Sequence, residues 1–147
     1  MDTAKRREWM GALATAPADR LFALWEAVPD KPEATYPRPA EIGMVMTKGR
    51  VGGSGAPFNL GEATVTRCTA CLPDGSVGHA YLAGRDKRKA EIAAILDAML
   101  MDPARHDALY AAVIEPLLIE RVERDGARAR KVAATKVDFF TLVRGED

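Results

Sequence analysis

The sequence has no excess of either charge, few aromatic residues, only two cysteines and two histidines, and no long apolar run. Each shortage closes a class of function. Lys plus Arg number 21 and Asp plus Glu number 21, so no overall field draws the chain to nucleic acid or to an anionic membrane. An anion site, if present, is local. No stretch approaches the roughly 20 apolar residues of a membrane span. The opening Met1-Asp2-Thr3-Ala4-Lys5-Arg6-Arg7 is followed by no apolar segment, so no signal peptide is expected, and the cytoplasm is the expected compartment.

The two cysteines, Cys68 and Cys71, form a C-x-x-C pair inside a segment that reads as a strand, Ala63 to Leu72. Residues three apart on a strand point to opposite faces with Cα atoms about 10 Å apart, beyond the reach of a disulfide. A redox C-x-x-C opens a helix, and none is expected here. A zinc site needs about four ligands, and there is no second cysteine pair. Both cysteines read as free structural residues.

What is present is a globular composition, 48% apolar and 29% charged, at a length of 147 residues that fits one domain spanning 1–147. Arg6 to Ala14 reads as a helix with Trp9, Met10 and Leu13 on one face. Pro17 suits the first turn of a second helix, in which Leu21, Leu24, Trp25 and Val28 trace an apolar stripe. Pro29, Pro32, Pro37 and Pro39 break regular structure and mark a connector up to Glu41, with room for an edge strand at its end. From Glu41 the pattern alternates with period two, then Gly49 to Gly55 turns the chain. Phe58 to Leu72 holds one long or two short strands. Pro73-Asp74-Gly75 is a turn, and Val77 to Ala83 returns as a hairpin strand.

Helices resume after Gly84, with Asp86 as N-cap. Ile92, Ile95, Leu96, Met99 and Leu100 mark the clearest amphipathic helix. Asp102-Pro103 opens another, in which Leu109, Val113 and Leu117 continue a stripe that Pro116 ends or kinks. Glu120 to Lys131 reads as a charged surface helix or arm. Val137 to Arg144 is strand-like. The fold expected is α+β, an antiparallel meander of three to five strands covered on one side by helices before and after it. The helices holding Trp25 and Leu96 should pack on the sheet.

Chemistry has few places to sit. Lys48-Gly49-Arg50-Val51-Gly52-Gly53-Ser54-Gly55 matches neither a P-loop nor a dinucleotide fingerprint. It is either a flexible hairpin connection or a backbone cradle for an anion, with Arg50, Gly52, Gly53 and Gly55 as its candidate residues. Gly84-Arg85-Asp86-Lys87-Arg88-Lys89 places cations in a helix's first turn, against the helix dipole. Arg85 and Lys87 are therefore further anion-site candidates, unless this is a solvated basic edge. His79 shares a face with Val77 and Tyr81 and reads as structural; His106 reads as exposed. Nothing in the spacing of Glu41, Glu62 and Glu91 requires a carboxylate site. No catalytic residues and no metal ligands are assigned. The last segment has two apolar faces, Val137, Phe139 and Val143 on one and Phe140 and Leu142 on the other. Chain ends fray unless tied down, so Val137, Phe139, Phe140, Leu142 and Arg144 are candidate partner-interface residues, and the isolated chain is expected to self-associate or to expose apolar surface.

Five blocks then fall in the order of a known family. They are Arg6-x-x-Trp9-Met10; Arg50-Val51-Gly52-Gly53-Ser54-Gly55; Phe58 through Arg67; Gly78 with Gly84-Arg85-Asp86-Lys87 and Ala90-Glu91; and Lys136 through Gly145. Together they resemble the PhnG family over nearly the whole chain. The resemblance implies a subunit of the carbon–phosphorus lyase core complex, with PhnI-like, PhnH-like and PhnJ-like partners. That assembly uses ATP with magnesium and a phosphonate to form ribose 1-phosphonate 5-triphosphate, releasing adenine. The PhnJ-like partner then breaks the carbon–phosphorus bond with iron–sulfur chemistry, for which this chain has too few cysteines. The role implied here is accessory, with no cofactor bound by the chain itself. The alternative is a stand-alone anion- or nucleotide-binding protein using the glycine-rich loop.

Overall fold

The computed structural model describes residues 3–135. Two helices open it, α1 (Thr3–Thr15) and α2 (Ala18–Ala27). Strands β1 (Thr35–Arg50), β2 (Pro57–Cys71) and β3 (Val77–Ala83) follow. Then come α3 (Lys87–Leu100), α4 (Pro103–Leu109), a π-helical turn (Tyr110–Ile114) and α5 (Glu115–Ala133). The sheet is an antiparallel meander in the order β1-β2-β3, so the expected α+β class and topology hold.

The local reasons are visible in the turns. Between β2 and β3, Gly75 takes φ 85°, and its N–H donates to the Leu72 carbonyl at 2.9 Å. The Ser76 N–H donates to Asp74 Oδ1 at 2.8 Å, the Asx turn that Pro-Asp-Gly favours. The connector is shorter than the prolines suggested. β1 begins at Thr35 and runs through Pro37 and Pro39, with register shifts between Thr35 and Arg38 and between Arg38 and Glu41. Prolines donate no ladder bond, and an edge strand with bulges is where a sheet tolerates them.

The even-numbered residues of the sheet build the core. Thr66, Cys68, Ala70, Leu72, Gly78, Ala80 and Leu82 are buried, while Arg67, Thr69, Val77, His79 and Tyr81 face out. Helix α3 lies directly on this inner face. A side chain at Gly78 would place its Cβ 2.0 Å from the Ala94 carbonyl oxygen, so only glycine allows the helix this close. The expected stripe of Ile92, Ile95, Leu96, Met99 and Leu100 is therefore only half of what α3 buries. Ala90, Ala93, Ala94, Asp97 and Ala98 are buried too, because α1, α2 and α4 cover its outer side. Leu96 fits the expectation of packing on the sheet layer. Trp25 is buried at 8% exposure, but the main neighbours of its helix are α3 and the π turn.

Pro116 does not end the helix it sits in. It lacks the N–H that would close a turn, and the π turn immediately before it absorbs the mismatch. Helical structure then continues through the charged stretch to Ala133, which settles that stretch as a helix.

Candidate functional site

The sequence-predicted anion residues occupy two separate places. The β1–β2 connection holds a short 3-10 turn, Val51–Gly53, in which Gly52 and Gly53 take φ 59° and 81°. Arg50 does not reach out from this turn. Its guanidinium donates to the Gly55 carbonyl at 3.1 Å, and Gly55 N–H donates to the Val51 carbonyl at 2.8 Å. Arg85 and Lys87 are exposed beside the start of α3, where Gly84 N–H donates to the Thr64 carbonyl at 2.9 Å. From Thr64 to the turn at Pro57 the strand runs about 23 Å. The fold thus does not bring Arg50, Gly52, Gly53 and Gly55 together with Arg85 and Lys87.

The basic first turn of α3 is partly neutralised inside the chain. Asp86 caps the helix, accepting from Lys89 N–H at 2.9 Å. Arg88 lies 4.6 Å over the Phe22 ring and pairs with Glu26 at 3.4 Å. Lys89 points inward at 8% exposure, and its ammonium donates to the Ala14 carbonyl at 2.9 Å. That carbonyl is one of the unpaired acceptors at the end of α1. Burial pushes the Lys89 ammonium pKa below its ordinary value.

The polar centre that sequence reasoning missed is Asp97. It is fully buried in α3 and collects four donors. Its Oδ1 accepts from Arg6 Nε at 3.2 Å and from Trp9 Nε1 at 2.8 Å. Its Oδ2 accepts from the second Arg6 nitrogen at 2.7 Å and from His79 N–H at 2.9 Å. The hydrogen bonds that Arg6 donates to Asp97 raise its guanidinium pKa. One carboxylate therefore ties α1, α3 and β3 together, with every acceptor site used. The signal in the sequence is a single Asp within Ile92-Ala93-Ala94-Ile95-Leu96-Asp97-Ala98-Met99.

The histidines differ from each other. His79 is exposed, its Nδ1 3.1 Å from Thr69 Oγ1. His106, expected in solvent, is half-buried. Its Nδ1 sits 2.8 Å from the Leu100 carbonyl and its ring stacks edge-on to Trp9 with centroids 5.4 Å apart. Beyond it, Tyr110 donates to Glu8, and that bond pushes the tyrosine pKa up to about 12. Glu41 is bound to Arg67 at 2.7 Å. Glu62 sits opposite Met46 on the hairpin, and Glu91 lies on α3, so the three carboxylates do not form one site. Cys68 is buried, and desolvation raises its thiol pKa to about 11; Cys71 is half-buried, and both are free. No group of three metal-ligating side chains exists among the described residues. No described helix is long and apolar enough to cross a membrane.

The surface feature with the most exposed apolar side chains is the outer half of the β1–β2 hairpin. Strand β3 pairs with β2 only from Cys71 to Val65. Beyond that point β1 and β2 continue alone to Arg50 and Pro57. Ile42 is 42% exposed on the last three-stranded rows, and the two-stranded arm beyond exposes Met44 and Met46 at 68% and 54%, and Val51, Phe58 and Leu60 nearer its tip. A two-stranded ribbon without a packed face is marginal in water, and exposed patches of this kind mark interaction surfaces. The candidate partner residues Val137, Phe139, Phe140, Leu142 and Arg144 lie outside the described residues.

The fold is a helix-covered meander whose hairpin runs on as an arm with exposed apolar side chains. The model of the family described as phosphonate metabolism protein PhnG matches residues 4–145, and the chain belongs to this family. A relative from Rhizobium meliloti (strain 1021) is 49% identical over 144 residues, covering 98% of this chain and 92% of the relative. That protein is named alpha-D-ribose 1-methylphosphonate 5-triphosphate synthase subunit PhnG.

Proposed function

We propose that this chain is an accessory subunit of the assembly that converts ATP and a phosphonate into ribose 1-phosphonate 5-triphosphate with release of adenine. The Rhizobium meliloti relative's name supports the synthase. The observation that carries the accessory role is the arm, which places Met44, Met46, Val51, Phe58 and Leu60 in solvent on a two-stranded ribbon, with Ile42 exposed at its base. An exposed apolar patch of this kind marks a surface for a neighbouring protein. The described polar clusters support the same reading. The carboxylate of Asp97 is saturated by four internal donors, and Arg50, Arg88 and Lys89 are bound within the chain.

The partners in this reading are PhnI-like, PhnH-like and PhnJ-like subunits, and the assembly uses ATP with magnesium while this chain holds no cofactor of its own. Co-expression of the tagged chain with those subunits tests it. The wild-type chain should co-purify with at least one of them, and Met44→Asp combined with Met46→Asp should abolish capture while leaving the melting temperature within about 2 °C, since both side chains are exposed. Turnover by the purified chain alone, or full capture by the doubly substituted arm, would remove the basis for an accessory docking role.

A further inference from the structure

Helix α5 turns two faces to different surroundings. On one, Leu117 is buried, Glu120 accepts from Arg20 at 2.7 Å, and Arg124 donates to the Thr15 carbonyl at 3.4 Å. That face rests on the body through α1 and α2. On the other stand Ile119 and Val122, 55% and 72% exposed. With 3.6 residues per turn, Gly126, Ala129 and Ala133 continue their row. The alternation of three-residue and four-residue steps along it is the seam period of a helix pair. Residues 125–133 run on about 14 Å beyond the contact with Thr15, and residues 127–133 are exposed.

Two independent observations say what fits this row. The first is Gly126. A glycine inside a helix costs stability, and this one has no positive φ to explain it. A Cβ there would meet only the guanidinium end of Arg130, at 3.4 Å, so the described residues of its own chain do not require glycine. What a missing side chain permits is the close approach of another helix. The second is charge. Residues 115–125 hold Glu115, Glu120, Glu123 and Asp125 against Arg121 and Arg124, whereas residues 126–133 hold Arg128, Arg130 and Lys131 and no acid. The helix is therefore complementary to itself when reversed, and like meets like when it is not. Glu123 and Arg130 stand seven residues apart on the same flank of the apolar row, with their midpoint beside Gly126. Neither makes an ion pair among the described residues.

We propose that the outward face of α5 docks a second copy of this chain, the two helices antiparallel and crossing at Gly126. Val122, Gly126 and Ala129 form the centre of the contact, and Glu123 of each copy meets Arg130 of the other. Each body lies on the far side of its own helix, and each overhanging end, 125–133, runs along the outward face of the other copy's α5. The seam from Ile119 to Ala133 is about 21 Å long, which belongs with small, transient interfaces. The dimer is therefore reversible and concentration-dependent. It uses no residue of the arm and does not rest on the synthase assignment.

Sedimentation equilibrium of the full-length chain, from micromolar to millimolar protein, tests it through charge reversal. The wild-type mass should rise reversibly from monomer toward dimer. Glu123→Arg and Arg130→Glu should each weaken the dimer about tenfold, because each turns two symmetric attractions into repulsions. An equimolar mixture of these two variants should recover wild-type association, since every cross-pair is again of opposite sign, and so should the two changes made in one chain. Gly126→Leu should weaken the dimer as well, although it puts a good helix former in place of a poor one. Its melting temperature should not fall, which separates a blocked contact from a damaged fold. A chain that stays monomeric throughout the range would overturn the proposal. So would a dimer indifferent to both charge reversals, or a mixture that associates no better than either variant alone. Self-association lost in Met44→Asp with Met46→Asp but kept in the α5 variants would assign it to the arm and overturn the proposal too.

Discussion

Removing the carboxylate of Asp97 should be among the most damaging single changes in the body of this protein. Asp97→Ala leaves Trp9 Nε1 and the His79 N–H without acceptors in a buried site, and strips Arg6 of its partner. Breaking a buried ion pair by deleting one member costs about 3–5 kcal/mol. Arg6 is 26% exposed and can regain water, which holds the loss toward the lower half of that range. For a chain of this size about 3–4 kcal/mol lowers Tm by roughly 10 °C. Asp97→Asn preserves shape but turns one acceptor into a donor. Whichever oxygen is replaced, the new amide faces an Arg6 nitrogen and either Trp9 Nε1 or the His79 N–H, so this variant should also melt well below wild type. Arg6→Ala should cost less, about 1.5–3 kcal/mol, because the carboxylate keeps two donors and gains access to water. Urea melts of the three variants, with a double-mutant cycle on Arg6 and Asp97, check the ordering. An Asp97→Ala protein within about 1 kcal/mol of wild type, or one no less stable than Arg6→Ala, would refute the claim that this carboxylate holds the three elements together.

Gly78→Ala should destabilise by more than the usual 1–3 kcal/mol of overpacking, since the clash is with the backbone of α3 and not with a movable side chain; a thermal melt unchanged by this substitution would contradict the close strand–helix contact. Cys68 should resist alkylation. With its pKa near 11 it is only about 1% thiolate at pH 9, and iodoacetamide mapping should find Cys71 modified first. The linkage sign follows from the raised value. The native state keeps the Cys68 proton above the ordinary thiol range, so its contribution is fully present below pH 9 and is lost as pH rises toward 11. A stability curve that rises over that window in wild type, relative to Cys68→Ala, would show the opposite sign. Phe139→Ala and Phe140→Ala should separate, one lowering the melting temperature and the other weakening partner capture about tenfold to a hundredfold; if neither variant changes either measurement, the tail is a free extension.

The sequence alone determined the order of elements, the period-two and helical stretches, the turns at Pro73-Asp74-Gly75 and the Asp86 and Asp102 caps. These are local choices, written in propensity and in hydrogen bonds between near neighbours. The family resemblance was legible for a related reason, since ordered blocks survive in linear sequence. Tertiary structure decided what each exposed or buried position is for. Asp97 reads as a flaw in an apolar helix until α1 and β3 arrive with their donors. Lys89 and Arg88 read as part of a basic first turn until the end of α1 and Glu26 take them. Ile42, Met44 and Met46 alternate as any half-buried strand does, and no local pattern tells that α3 stops short of them. Burial is a property of what lies opposite a residue in space. A chain can announce which of its faces is apolar, but only the packed fold shows which stretch of that face its own helices fail to cover.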